Sequence, residues 1–495
     1  MEIVRNFPLF SIILALFSGV LCTLLSGKAA RNYILCVLTV IGAMSAAVLA
    51  YVIDLGTYYI YLMGHFPAPW GNEIRVGRLE ALLAVVFSVV MILSLLGGMK
   101  HIFEDVEEEK VNLYFLMISL LFASMLALIY TNDLFTGYVF VEINTIAACA
   151  IVMLRDSKET LVATARYLAL SLLGSGMFML GICILYDITG HLLMGSLNQA
   201  ILALRTSGKY AFPLEMVIAL FCVGLATKSA LFPFHTWLPE AHGTATSASS
   251  AILSGLVLKG YIVLLLKIIY RVIGFDVFLE SKAIHVLFFL GGCAMLAGSA
   301  IALTEKNMKR MIAYSSVAQI GYIYLAIGTG TIYGMVAAVY QIVAHALTKP
   351  MLFDAAGGLM EVSGGSRSFD RLKGSGRRNL LAGIAFVVGA LSMIGIPLFA
   401  GFMTKYYLAT AGIMSGWKMI PTLAFLAVST VLNAMYYVPA VMVIFSGSDP
   451  VRFVPDKKNF AFIFAMIVFI VLNVLVGCFS GPAMNLIRSS LLIFS

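Results

Sequence analysis

Apolar runs of roughly 17 to 25 residues recur from one end of the chain to the other, each long enough to cross a bilayer as a helix. No other feature limits the fold so tightly. Hydrocarbon offers no water to backbone N–H and C=O groups, so every run must satisfy its own hydrogen bonds, as an α-helix does. Such spans are expected near residues 8–25, 33–53, 79–99, 112–130, 134–154, 162–186, 212–233, 247–270, 283–303, 310–328, 331–360, 379–410, 421–446 and 459–480. Composition agrees: 61% of the 495 residues are hydrophobic and 11% are charged, where a water-soluble domain carries about 25% charged residues. No segment between runs has room for a soluble domain. The chain therefore reads as an all-α, polytopic membrane protein of about 14 transmembrane helices, a single membrane domain over 1–495. The leading Met-Glu-Ile-Val-Arg-Asn-Phe-Pro enters the first run without a small-residue cleavage site and reads as part of that span, not as a removed signal peptide.

The formal charge of +8 does not point to nucleic acid. Binding one would need a basic face, and the Lys and Arg residues here sit in short loops, as orientation signals do. The longest basic loop, Ser363 to Arg378, carries Arg367, Arg371, Lys373, Arg377 and Arg378 and is rich in Gly and Ser; residues 101–110 form an acidic turn. Loop Lys and Arg number roughly 17 on the side of the loop after span 1 and roughly 10 on the other. That bias places both termini outside and the 363–378 loop in the cytoplasm of a cell (inner or plasma) membrane. Cys22, Cys36, Cys149, Cys183, Cys222, Cys293 and Cys478 lie within or beside apolar runs with no Cys-x-x-Cys pair, and read as small buried hydrophobes. Neither a nucleotide loop, a nucleophile elbow nor a metal cage is recognisable, and no cofactor or metal is expected.

Two spans are interrupted. Span 7 carries Lys228 and Pro233; span 12 carries Gly395, Pro397, Gly401 and Lys405. Proline removes a donor and clashes with the preceding turn, so both helices should kink or unwind. Broken helices at matching places in two halves point to repeats around a transport path. The expected organisation is three N-terminal helices (1–111), two inverted five-helix repeats (112–270 and 283–446), and a C-terminal helix and tail (447–495), the last stretch from Asn485 being amphipathic.

A charge near a helix centre costs about 2.5 to 3.5 kcal/mol on insertion scales, so such residues tend to face partners or water. Here they are Glu142, Lys228, Lys259, the pair His345 and Lys349 on one helical face, Asp354 in the same helix, and Lys405. Blander roles stay open. Lys405 could snorkel, His235 could pack at the break, His345 could be a core histidine, and Glu142 could be structural. His65, His101, His191 and His285 are assigned no role. Glu305, Lys306, Lys309 and Arg310 at the start of span 10 read as interfacial anchors. The chemistry suggested is proton relay. Burial disfavours an ammonium and a nearby carboxylate favours it, so changing the distance between the two moves a proton.

At these residues the chain resembles the antiporter-like membrane subunits of respiratory complex I, Mrp-type cation/proton antiporters and membrane-bound hydrogenases. The matching stretches are Lys-Ser-Ala-Leu-Phe-Pro-Phe-His-Thr-Trp-Leu-Pro-Glu-Ala-His (228–242), Leu-Lys (258–259), Met-Lys-Arg-Met-Ile-Ala-Tyr-Ser-Ser-Val-Ala-Gln-Ile-Gly-Tyr (308–322), His-Ala-Leu-Thr-Lys-Pro-Met-Leu-Phe (345–353) and Gly-Ile-Pro-Leu-Phe-Ala-Gly-Phe-Met-Thr-Lys (395–405). The resemblance implies the 14-helix fold with two inverted units. It implies a Glu142–Lys228 charge pair, Lys259 as the central cytoplasm-connected residue, His345 and Lys349 carrying the path through span 11, Lys405 opening outward, and His235 tuning the break. Partners would be other membrane subunits of a multisubunit complex, and the cargo protons, with Na+ left open. Any redox chemistry would belong to those partners.

Two departures stand out. Where the family often has Ala-Pro-Thr, residues 245–247 read Ala-Thr-Ser, so span 8 should begin straighter. One complex I class carries glutamate at the Lys405 position, so lysine points to the other classes or to antiporter and hydrogenase relatives. His-Thr-Trp (235–237) leans toward the complex I and hydrogenase branch, and the chain ends too early for the lateral helix of one large class. Two readings compete with an ion path: a stand-alone carrier of a small solute, which needs a roomy central pocket, and a structural subunit whose charges only hold neighbours in register.

Overall fold

A computed structural model describes residues 2–67, 70–155, 157–447 and 459–494. Residues 448–458, inside the 447–495 segment expected to hold the C-terminal helix and tail, and Ser495 lie outside the described residues.

Among the described residues thirteen helices are long and apolar enough to cross a membrane. Spans 1 to 6 are Ile3–Cys22, Gly27–Leu55, Arg78–Asp105, Glu108–Tyr130, Leu134–Met153 and Lys158–Thr189. Span 7 is Ala211–Lys228, spans 8 to 11 are Ser247–Ile273, Ala283–Thr304, Met308–Gly328 and Ile332–Glu361, and spans 13 and 14 are Gly416–Phe445 and Phe460–Cys478. The remaining span, 12, is divided into Leu380–Ile394 and Ala400–Ile413. The protein is a polytopic all-α membrane protein. Several helices outrun their apolar cores: span 2, expected at 33–53, begins at Gly27, and span 6, expected at 162–186, extends over Lys158–Thr189. Ser157 caps the latter, accepting from the Thr160 N–H at 3.1 Å, and helix propagation through polar residues costs little.

Hydropathy did not foresee every element. A two-stranded antiparallel hairpin, Tyr59–Leu62 with Glu73–Val76, joins spans 2 and 3. A further helix, Met194–Ser207, lies between spans 6 and 7, and the amphipathic tail is the helix Ser480–Leu492.

Both expected breaks are present. Span 7 stops at Lys228, and the chain turns through Ala230 (φ 58°) before Trp237–Thr244 resumes as a helix. Gly395 closes the first half of span 12 at φ 87°, a conformation that disfavours any Cβ. A Cβ there would also lie 2.6 Å from the Lys405 Cδ, so glycine lets the lysine stem lie across the break. Span 8 begins as a regular helix capped by Thr246, whose hydroxyl accepts from the Ser249 N–H at 3.1 Å. Its irregularity lies further in, at π-helical turns over Leu253–Val257 and Ile269–Ile273.

Burial orders the bundle. The most apolar windows of spans 8 and 11 are 100% buried, those of spans 1, 2 and 13 are 33% buried, and that of span 14 is 28% buried. Spans 8 and 11, which carry Lys259 and the His345/Lys349 pair, form the axis of the protein. The peripheral spans present their apolar faces outward, as lipid requires.

Candidate functional site

Lys228 is the last residue of the span 7 helix, and the break beyond it frees space for its head group. Its Nζ lies 3.5 Å from the Glu142 Oε1 of span 5 and donates to the Thr145 Oγ1 at 2.7 Å. The lysine side chain is 0% exposed and the carboxylate 22%, so the pair joins a fully buried group to one that reaches the surface of the bundle. The Tyr261 ring centroid is 5.6 Å from the ammonium. The Tyr261 hydroxyl lies 3.3 Å from the Thr145 hydroxyl and donates to the Asn144 Oδ1 at 3.3 Å, a polar bridge from the pair to span 8.

Two residues before Tyr261 lies Lys259, fully buried. Its ammonium donates to the Ser254 carbonyl, five residues back. That spacing follows from the π turn, which widens the helix and leaves a carbonyl available, as such turns at functional sites do. Ser254 also pairs with Ser316 of span 10 at 2.9 Å.

His345 is completely buried and neither ring nitrogen has a hydrogen-bond partner. The charges acting on it are those of Lys259, Lys349 and His242, so these four form one electrostatic group at the centre of the bundle. Lys349, four residues on, donates to the Ile312 carbonyl at 2.9 Å, to the Ser315 hydroxyl, and to the Tyr437 hydroxyl at 3.4 Å. From there hydroxyls and amides continue outward: Ser315–Tyr437 at 2.8 Å, Tyr436 to Asn433 at 2.7 Å, Ser299 to Asn433 at 3.1 Å, and Tyr322 to Ser429 at 3.1 Å. Lys405 stands at the end of this file, 5.5 Å from the Tyr322 ring centroid. It donates to the Ile394 carbonyl exposed by the span 12 break and to the Thr430 hydroxyl at 2.9 Å.

Six of the eight residues singled out from sequence thus fall along one polar file, and Asp354 and His235 lie off it. His235 stands apart: its ring packs on Phe232 at 5.3 Å and Tyr314 at 6.3 Å. Lys309 corrects an expectation. Its place in the sequence suggests an interfacial anchor, yet it is 1% exposed and donates to the Ala245 carbonyl at 2.5 Å, because it lies on the inner side of span 10. Its neighbour Arg310 keeps the surface role, pairing with Glu305 at 3.0 Å. Two further groups escape a reading of the sequence. His242 is buried without a hydrogen bond and stacks on Phe353 at 4.7 Å; its place in the 228–242 stretch is the available signal. Lys267, also fully buried, carries the same sequence signal as Lys259.

Chemically, the file is a set of titratable side chains joined by hydroxyls, with no run of oxygen ligands around a common point. Such a set suits the movement of protons.

Residues 131–433, which contain the whole file, match the family described as NADH:quinone oxidoreductase/Mrp antiporter, TM. Among curated proteins, NADH-quinone oxidoreductase subunit N of Desulforudis audaxviator is 32% identical over 437 residues, covering 87% of this chain and 85% of that protein. The D component of the Na(+)/H(+) antiporter of Alkalihalophilus pseudofirmus is 26% identical over 363 residues, covering 73% and 71%. A chain of the membrane-bound sulfane sulfur reductase, an archaeal respiratory membrane complex, superposes with a TM-score of 0.87 at 25% identity over 100% of this chain and 98% of that one. A chain of the Mrp complex from Dietzia sp. shares the fold, with a TM-score of 0.87 at 22% identity over 99% and 97%.

Proposed function

The chain belongs to the NADH:quinone oxidoreductase/Mrp antiporter transmembrane family, and from that premise we propose that it is an antiporter-like subunit that carries protons across a cell membrane within a larger complex. Its relatives are subunits of such assemblies, redox-driven in one case and cation/proton exchanging in another. The observation that carries the proton assignment is the file from Glu142 and Lys228 through Lys259, His345 and Lys349 to Lys405, in which Lys228, Lys349 and Lys405 each donate to a hydroxyl that can pass a proton on.

In this reading the two broken spans mark two inverted units, 112–270 and 283–446, each hinged at its lysine. Glu142 holds the proton on Lys228 while the pair is closed. When the pair opens, the desolvated ammonium loses its support and the proton moves through Thr145 and Tyr261 toward Lys259. His345 and Lys349 carry it into the second unit, and Lys405 delivers it to the outside. Both termini face outward and the 363–378 loop faces the cytoplasm, following the basic bias of the loops. His235 tunes the break through its packing. Electron transfer, where the complex performs it, is assigned to partner subunits.

The test is Lys228→Arg in the intact complex. Arginine keeps the ion pair with Glu142 but does not release a proton at accessible pH. Assembly at parental levels with proton uptake lost is the expected result. Parental uptake would show that proton release at Lys228 is not part of the mechanism. Lys228→Ala and Glu142→Gln should fail in the same assay.

A further inference from the structure

One buried acid stands outside the file. Asp354 is completely buried, and neither of its carboxylate oxygens has a hydrogen-bond partner. It lies against the backbone of span 3 at Gly97, where any Cβ would overlap the carboxylate, so the site is shaped to admit it. The groups whose fields couple to it are Lys309 of span 10 and Tyr114 of span 4. Lys309 is turned to the Ala245 carbonyl and makes no hydrogen bond to Asp354.

At the 363–378 end of the bundle a polar cleft of about 270 Å³ is lined by His101, Ser247, Lys309, Glu361 and Arg367 among others. Lys309 therefore belongs to the wall of the cleft and to the surroundings of Asp354 at once. Glu361 lies seven residues beyond Asp354, two turns along the same face of span 11 and about 10 Å along its axis. The turn between them, at Gly357, packs on Ser247 and His101, both of the cleft wall.

A buried acid with a purely structural part accepts hydrogen bonds, and a carboxylate without donors is among the costliest groups to bury. Asp354 fits neither description as a fixed anion. A bound metal cation would need several oxygen ligands, and the helix backbone at Gly97 spends its carbonyls within span 3. A proton needs only one oxygen.

We infer that Asp354 is a second proton-binding carboxyl of this chain, loaded from the cleft through Lys309. In the exchange an N–H bond of the Lys309 ammonium breaks with its electron pair left on nitrogen, a water entering from the cleft takes that proton, and the same water gives up one of its own to form an O–H bond on Asp354. Two opposite charges become two neutral groups, the arrangement that a dry site tolerates best. Water from the cleft reaching Lys309 restores the charged form and renews the proton. Lys309 also acts on His242, as Lys259 and Lys349 do, so a change in its charge is felt at the central group. The direction of travel rests on the relay reading; the protonation of Asp354 does not.

The test combines two readouts. Infrared difference spectra of the purified chain in lipid, recorded between acid and alkaline pH, should contain a protonated-carboxyl C=O band that disappears in Asp354→Asn and moves in Asp354→Glu. In membrane vesicles holding the intact complex, Asp354→Asn should lower proton uptake about a hundredfold, with Asp354→Glu restoring part of it. An unchanged set of carboxyl bands in Asp354→Asn would overturn the inference. So would parental uptake in both Asp354→Asn and Asp354→Leu. If Lys228→Arg pumps normally while the Asp354 band is still present and lost on substitution, the relay reading fails and the carboxyl site stands.

Discussion

Lys259 and Lys267 lie in the same fully buried span, yet their surroundings predict opposite failures when each is replaced by methionine. Lys267 donates to three carbonyls, those of Leu128 at 3.2 Å, Ile129 at 2.9 Å and Thr131. These belong to the last turn of span 4 and the residues just after it, acceptors that a helix C-terminus leaves without intrahelical donors. Stranding a buried acceptor costs about 1 to 3 kcal/mol. Three of them at the low end give about 3 kcal/mol, and relief of the ammonium's own desolvation offsets part of it, leaving about 2 kcal/mol. Lys259 serves a single carbonyl, that of Ser254, so its loss should cost about 1 kcal/mol at most. The assay is the thermal unfolding midpoint of the purified chain in one detergent, set beside proton uptake per assembled complex. Lys267→Met should lower the midpoint and keep uptake per complex. Lys259→Met should hold the midpoint near the parent's and abolish uptake. A Lys267→Met protein as stable as the parent would refute the capping argument, and one that is stable but inactive would place Lys267 in the proton path.

Two further outcomes follow from orientation and ligand chemistry. A cysteine at Ser366 should react with an impermeant thiol reagent in inside-out vesicles only, and reaction in right-side-out vesicles would invert the topology. Sodium should not protect Glu142 from carboxyl-modifying reagents in the isolated chain, since its charged neighbour is the Lys228 ammonium at 3.5 Å; hard cations want several oxygens, and Na+-dependent protection would contradict a proton path here.

Much of the site is legible in the amino-acid sequence. Lys228, Lys259, Lys349 and Lys405 stand out because a charge in an apolar run has few innocent explanations. The breaks of spans 7 and 12 are visible because Pro233, Pro397 and Gly395 act on the backbone locally, whatever surrounds them. The hydroxyl file through Ser315, Tyr437, Asn433 and Ser429 is not, because Ser, Tyr and Asn are ordinary residues in spans and acquire meaning only from what they face. The hairpin at Tyr59–Leu62 and Glu73–Val76 escapes because its strands are four residues each, too short for alternation to register.

Run length and the absence of water in hydrocarbon determined, from sequence alone, that this chain folds as a bundle of membrane helices. Buried charge determined that the bundle has a polar interior. Which charge does what was decided by packing. Lys259, Lys267 and Lys309 are alike as letters in apolar surroundings, yet one meets a carbonyl freed by a π turn, one meets the end of span 4, and one faces a cleft beside an unpaired acid. Periodicity could not tell them apart, because the apolar windows of spans 8 and 10, which carry them, are 100% and 94% buried. A helix with no lipid-facing stripe has no amphipathic signal to show which way its side chains point, and that direction came only from the helices packed around it.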